Sequence, residues 1–192
     1  MANHEQGRLP EPDERETPAE LFQEKHSSHH FDLDAAASHS NTQCALYCTK
    51  EGTYTQSVVN GLWMRDPETR RRLDPASGLD FSWKGRRVWC NPPYSDIEPW
   101  IVKAWTSGAS MAYLLVPNWT DRRWWSTWVE DFRDGRGAGS DVAPETGMSL
   151  RTEFMGRKRF LYQGEPIRTK DGKIGQPEFG LVGLIFTKET PK

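Results

Sequence analysis

Cysteine is scarce in this chain: 192 residues hold only Cys44, Cys48 and Cys90. An odd count, with no secretory pattern at the N-terminus, excludes a disulfide-stapled scaffold and fits a reducing cytoplasm. Cys44 and Cys48 stand four apart, but no second Cys or His pair is placed to complete a tetrahedral zinc site, so no metal is expected. No apolar run reaches the roughly 20 residues that a membrane span needs, so no membrane is expected as a partner. Positive charge is not in excess either. The formal net charge is −2 and the sequence pI about 6.2, whereas a nucleic-acid binder often shows a basic domain. That average conceals a gradient. Residues 1–38 hold three Lys and Arg against nine Asp and Glu, a net of −6, and residues 151–192 hold nine against five, a net of +4. A basic face is therefore available, and an ordinary mixed surface is the competing reading. Only 35% of residues are hydrophobic, with a mean hydropathy of −0.79, yet nine Trp supply large apolar area.

The length suits one domain with a real core. Residues 1–16 are polar, acidic and Pro-containing and read as a mobile arm; residues 17–190 form the domain. Thr17 is placed to cap a short helix from Pro18 to about Lys25, with Glu20 completing a capping box. "FDLDAAAS" starts as a strand and breaks into small residues, a pattern that lets a ligand approach the backbone. Residues 49–80 read as an irregular polar excursion, with an inserted basic loop at about 52–76; for its arginines, Arg70 and Arg71 included, a solvated loop and a phosphate-contacting loop are both open readings. "RRVWC" is a strand ending at prolines. Ile97, Ile101, Ala104 and Trp105 share one face of a following helix, with Gly108 beyond its end. "ASMAYLLVP" is the continuous apolar run of a buried parallel strand. "DRRWWSTWVEDF" is a third helix with Trp125, Trp128, Val129 and Phe132 on its inner stripe, and the last strand covers about Leu181–Thr187. Alternating strands and helices argue an α/β fold with a mostly parallel open sheet, an antiparallel pairing at one edge, and helices on both faces.

One tetrad carries chemistry: Asn91-Pro92-Pro93-Tyr94, at the carboxyl end of a strand. Ligands bind at that edge of open parallel sheets. The prolines donate no N–H and stop the strand, which leaves the Pro92 carbonyl without a ladder partner. That carbonyl and the Asn91 side-chain oxygen are two acceptors side by side, suited to a planar NH2 group. Tyr94 adds a ring that can stack on a flat substrate. A planar amine is a poor nucleophile, and two hydrogen bonds from its protons strengthen as it attacks, which favours the transition state.

The tetrad resembles the catalytic motif of S-adenosylmethionine-dependent amino-methyltransferases. The ordered set "TPAELF", "FDLDAAASHSNTQC", "GLDFSWKGRRVWCNPPYSDIEPWIVKAW", "AYLLVPNWTD", "GRKRF" and "GLVGLIF", over about residues 17–187, is similar to the phage-type DNA N-6-adenine methyltransferase (Dam-like) family. The resemblance implies a Rossmann-like methyltransferase fold, S-adenosylmethionine as cofactor, and double-stranded DNA as partner with the target adenine flipped out of the stack. It also implies a phage-encoded protein working in the host cytoplasm. Asn91, Pro92, Pro93 and Tyr94 would grip the base. Asp34, Ala35 and Ala36 would open the methionine-binding loop; Thr17 and Pro18 match the N-terminal cofactor motif; Asp80 and Phe81 are candidates for the cofactor's adenine pocket. Arg157 and Lys158, with Arg70 and Arg71, are candidate DNA contacts, against the plainer reading of a solvated edge. Ala-Ala-Ala-Ser stands where many methyltransferases have a Gly-rich loop. No large target-recognition domain is evident, so loops 52–76, 133–149 or 163–178 would read the sequence. Transfer to another planar nitrogen, in RNA or a protein glutamine, and a non-catalytic DNA-binding relative are the alternatives. The Trp119, Trp124, Trp125 and Trp128 group reads as core before base-stacking platform. Recognition sequence and oligomeric state stay open.

Overall fold

The computed structural model describes residues 12–56, 58–59, 62–63, 70–136, 147–169, 171–175 and 179–189. Its strands are β1 (Leu33–Asp34), β2 (Leu46–Cys48), β3 (Thr53–Thr55), β4 (Val58–Val59), β5 (Leu62–Trp63), β6 (Arg71–Asp74), β7 (Arg87–Cys90), β8 (Met111–Pro117), β9 (Met148–Gly156), β10 (Leu161–Tyr162), β11 (Glu165–Pro166) and β12 (Leu181–Lys188). The helices are α1 (Ala19–His29), α2 (Glu98–Thr106) and α3 (Arg123–Trp128).

Eight strands form one mixed sheet in the order β6-β3-β2-β1-β7-β8-β12-β9. Its centre, β2-β1-β7-β8, is parallel. Antiparallel pairing was expected at one edge only. It occurs on both flanks: β12 lies antiparallel between β8 and β9, and β3 pairs antiparallel with both β2 and β6. The polar excursion expected over residues 49–80 therefore contains two strands of the large sheet, β3 and β6, and the separate β4–β5 pair. They escape an apolar reading because their residues are largely half-buried or exposed; backbone pairing, not burial, holds them. The basic loop expected at about 52–76 lies partly outside the described residues, as does most of 133–149.

Burial follows the apolar runs. All seven residues of β8 are buried, and Leu181–Phe186 of β12 are buried with them. On α2, Ile101, Ala104 and Trp105 point inward as the spacing predicts. In β12, Phe186 meets Trp105 of α2 (5.0 Å, edge-on), whereas Gly183 faces Tyr113, whose ring neighbours His29 of α1. Even and odd strand positions face opposite ways, so α1 and α2 cover opposite faces of the sheet. A Cβ at Gly183 would stand 2.2 Å from the Tyr113 hydroxyl. Glycine there lets that ring lie across β12 and donate to Glu153 on β9 (3.1 Å).

Helix α1 runs a turn beyond the predicted end. Lys25 is buried and pairs with Glu153 and Glu24, and His26 and His29 contact Phe31. The helix is therefore fastened by polar and aromatic contacts that an apolar count does not register. Thr17 makes no capping hydrogen bond; Pro18 occupies the cap position instead. The edge of β9 is blocked by Asp134, whose carboxylate accepts from the Thr152 amide (2.8 Å) and hydroxyl (2.6 Å), while its own amide donates to the Leu150 carbonyl. Such a cover removes an open pairing edge.

Candidate active site

Strand β1 pairs with β2 on one side and β7 on the other. Chain order reverses there, and the crevice beyond the carboxyl ends of β1 and β7 is where open α/β sheets bind ligands. Asp34 and Ala35 end β1; Asn91 follows β7. The sequence-predicted halves of the site are thus brought to one crevice.

The Asn91 amide nitrogen donates to the Arg15 carbonyl (3.3 Å). Its Oδ1 is buried and has no hydrogen-bond partner. Among the described residues no backbone hydrogen bond reaches the Pro92 carbonyl either. Two neighbouring acceptors, one of them shielded from water, are therefore unspent. An unsatisfied buried acceptor costs about 1–3 kcal/mol, which is a reason to expect a donor to arrive there.

Tyr94 is 5% exposed, and its hydroxyl has no partner. Burial pushes the phenol well above its ordinary range, and the nearby Arg15 guanidinium only partly opposes this. The phenol stays protonated at neutral pH and is not a base. Three rings meet Tyr94 at steep angles: Phe179 at 5.8 Å, Phe160 at 6.0 Å and Trp119 at 6.4 Å. Phe160 is buried, whereas Trp119 and Phe179 are half-buried.

Residues 74–135 match the model of the DNA N-6-adenine-methyltransferase (Dam) family. The resemblance read from the sequence stands over this segment, which runs from the end of β6 past α3 and contains the whole tetrad and Trp119. It leaves out α1, β1 and the loop after Asp34. A comparison with curated proteins found no match.

Outside the matched segment, Gln43 ties together the two stretches assigned to the methyltransferase cofactor. Its amide N–H donates to Asp34 Oδ2 (2.8 Å), and its side-chain nitrogen donates to the Thr17 carbonyl (3.3 Å). Asp34 is 3% exposed and Thr17 is likewise buried, with Thr17 Oγ1 unpartnered. The capping role expected of Thr17 is absent, and its hydroxyl is unspent. Pro18 and Ala36 are half-buried beside it, and Ala35 is buried. Gly78 approaches the Ala35 carbonyl so closely that a Cβ would come within 1.8 Å of it. That contact sets the turn carrying Asp80 and Phe81 beside the Asp34 loop. Asp80 itself is exposed and accepts from the Ser77 hydroxyl (2.7 Å), and Phe81 lies under the Arg86 guanidinium (5.6 Å). No hydrogen bond or ring contact joins either residue to Asp34 or Asn91 among the described residues.

Arg157 and Lys158 follow β9 and precede Phe160, which touches Tyr94, so they stand at the rim of the site. Arg70 and Arg71 do not. They lie at the β6 edge, four strand spacings from β7, about 19 Å at roughly 4.8 Å per strand. Arg70 neighbours the Tyr47 hydroxyl and His39, in the loop that follows Asp34. The Trp group divides. Trp124 and Trp125 are buried; Trp128 donates to Glu98 Oε1 (2.8 Å); Trp119 alone belongs to the site. Gln43, Gly78, Trp119 and Phe160 lie inside the stretches that carry the family resemblance but have no local motif that marks them as partners of the tetrad, and Phe179 lies in none of those stretches.

Among the described residues no group of three or more His, Cys, Asp and Glu could hold a metal, and no helix is long and apolar enough to cross a membrane.

Proposed function

We propose that the chain is an enzyme that transfers a methyl group from S-adenosylmethionine to the exocyclic N6 amino group of adenine in double-stranded DNA, with a Rossmann-like catalytic domain. The observation that carries this reading is the buried, unpartnered Asn91 Oδ1 beside the unbonded Pro92 carbonyl, at a topological switch point and within a Dam-family segment.

The amino group of adenine offers two N–H donors, and the site offers two acceptors at the end of β7. As nitrogen attacks, positive charge grows on it, and hydrogen bonds to Asn91 and Pro92 strengthen. Nitrogen would gain the methyl carbon as that carbon's bond to the sulfonium sulfur breaks, leaving a neutral thioether, and the surplus N6 proton would pass to water. Tyr94 supplies a face for the base once a neighbouring ring moves aside. A base in a duplex cannot reach a buried acceptor, so it must leave the stack.

The residues present fit the cofactor. Asp34 would offer a buried carboxylate to an ammonium group, and Thr17 an unpartnered hydroxyl. When bound, the cofactor supplies an electrophilic methyl on a sulfonium. Arg157 and Lys158, just before Phe160 in the chain, would meet backbone phosphates.

The test is methyl labelling of genomic DNA, mapped at base resolution. Label in N6-methyladenine supports the reading. Label that nuclease leaves and protease removes moves it to a protein glutamine, and label confined to RNA moves it to an RNA base. No label in any of these, with no cofactor heat in calorimetry, favours a non-catalytic relative.

A further inference from the structure

A carboxamide is nearly symmetric in shape but not in chemistry. With oxygen toward the pocket, Asn91 accepts from an amino group; turned by half a rotation, it opposes that group with its own N–H donors. Something must fix the choice, and nothing within the tetrad does. The Asn91 amide nitrogen is held by the Arg15 carbonyl, 76 positions earlier in the chain.

That carbonyl is itself clamped from both sides. On one side, Asp13 Oδ1 accepts from the Ser95 amide (2.9 Å) and Asp13 Oδ2 accepts from the Ser95 hydroxyl, in the residue directly after Tyr94. On the other, Glu16 exchanges backbone hydrogen bonds with Leu161 (2.8 and 2.9 Å), and its side chain accepts from the Gly164 amide (2.8 Å). The Arg15 guanidinium also lies over Phe179 (5.3 Å), one of the rings around Tyr94. Residues 13–16 were grouped with a mobile arm, yet here they join the catalytic loop to the β10–β11 hairpin.

We propose that residues 13–16 form a positioning strap, in which the Arg15 carbonyl orients the Asn91 amide so that its oxygen faces the amino group to be methylated. The inference rests on the methyltransferase reading, and it assigns no chemistry to the strap itself. Asp13 and Ser95 are exposed at the surface, so their tether can be cut without opening the core.

The decisive variants are Asp13→Ala and Asp13→Asn in the full chain. Asp13→Ala is expected to lower kcat about tenfold, the effect of losing roughly one net hydrogen bond of orientation, with KM for DNA and cofactor affinity little changed. Asp13→Asn keeps an oxygen for the Ser95 amide and is expected to recover most of the loss, which a general packing role would not explain. A second readout needs no turnover. In 15N-resolved spectra one Asn91 side-chain amide proton is expected to exchange slowly in the wild type and in Asp13→Asn, and at the rate of an exposed amide in Asp13→Ala. Unchanged kcat in Asp13→Ala, or rapid exchange already in the wild type, would overturn the strap. If the wild type places no methyl in DNA, the methyltransferase reading falls, and the amide-proton measurement still decides whether the strap orients Asn91.

Discussion

Position 91 needs an acceptor that remains an acceptor when buried. An amide oxygen does so without charge, whereas a buried carboxylate carries a desolvation penalty and tends to take up a proton. On the proposed methyltransferase reading, Asn91→Ala removes one of two acceptors that tighten as the transition state forms. By analogy with deleting one preorganised hydrogen-bonding group, kcat is expected to fall about 10²- to 10³-fold. Cofactor binding, measured by calorimetry, should stay near wild type, because Asp34, Thr17 and Gln43 are joined without Asn91; a lost cofactor signal would mean that position 91 is structural. Gly78 makes the opposite prediction. A Cβ there would overlap the Ala35 carbonyl at 1.8 Å and crowd Trp100 at 2.9 Å. Both neighbours are buried and one is backbone, so Gly78→Ala is expected to cost about 1–3 kcal/mol or more in chemical denaturation. Because the overlap falls on the Asp34 loop, cofactor affinity should drop with it. A stable Gly78→Ala protein that binds cofactor normally would show that the loop does not take part in binding.

Elements at the margins of the sheet are held by polar groups, and this governs both their pH response and their legibility. Asp134 sits at φ 56°, a left-handed conformation that Asp and Asn tolerate, and it closes the β9 edge. Burial pushes its carboxyl upward, but the Thr152 hydroxyl and amide and the Arg133 guanidinium outweigh this and hold it below its ordinary value near 3.8. A depressed folded pKa stabilises above the unfolded value and ceases to do so as pH falls through the folded one. The contribution of Asp134 should therefore be intact at neutral pH, begin to weaken as pH falls through the ordinary value near 3.8, and be lost at the lower pH where the folded carboxyl takes up its proton. Its carboxylate is about one-third exposed, so solvent screening limits Asp134→Ala to a loss of about 1 kcal/mol. Asp134→Asn, which keeps the left-handed backbone, should lose less and show none of that acid-dependent loss; denaturant midpoints at pH 7 and through the acid range check both. The same polar fastening explains what the sequence concealed. Ser27, Ser28 and His29 offer no apolar periodicity, so the last turn of α1 was invisible; Lys25 meeting Glu153, 128 positions away, secures it. Thr53–Thr55 and Arg71–Asp74 gave no alternation because their flank of the sheet is open to water.

Across the whole molecule, readability tracks the distance over which contacts act. The tetrad was legible because its four residues are consecutive and its prolines state where the strand stops. The parallel centre was legible because double-sided burial writes an unbroken apolar run such as Met111–Val116. The rings around Tyr94 were not, since Trp119, Phe160 and Phe179 come from separate segments and meet only in the folded chain. The division between a buried centre and polar flanks also predicts how the molecule opens. Strands β8 and β12 are hydrogen-bonded on both sides and wholly or mostly buried. Among the described residues, strand β6 is an exposed edge paired with β3 alone, and β10–β11 is a two-residue pairing. Amide exchange from β8 and β12 should therefore require global unfolding and follow denaturant with the full slope, whereas β6 and β10–β11 should exchange earlier through local openings that hardly depend on denaturant. S-adenosylmethionine, added to this experiment, should slow exchange across Ala35–Gln43 beyond the uniform gain that binding gives to globally exchanging amides. Exchange from β6 as slow as from β8 would contradict the division. A cofactor effect spread evenly over the sheet, with none in excess at residues 35–43, would place its site away from the β1–β7 crevice.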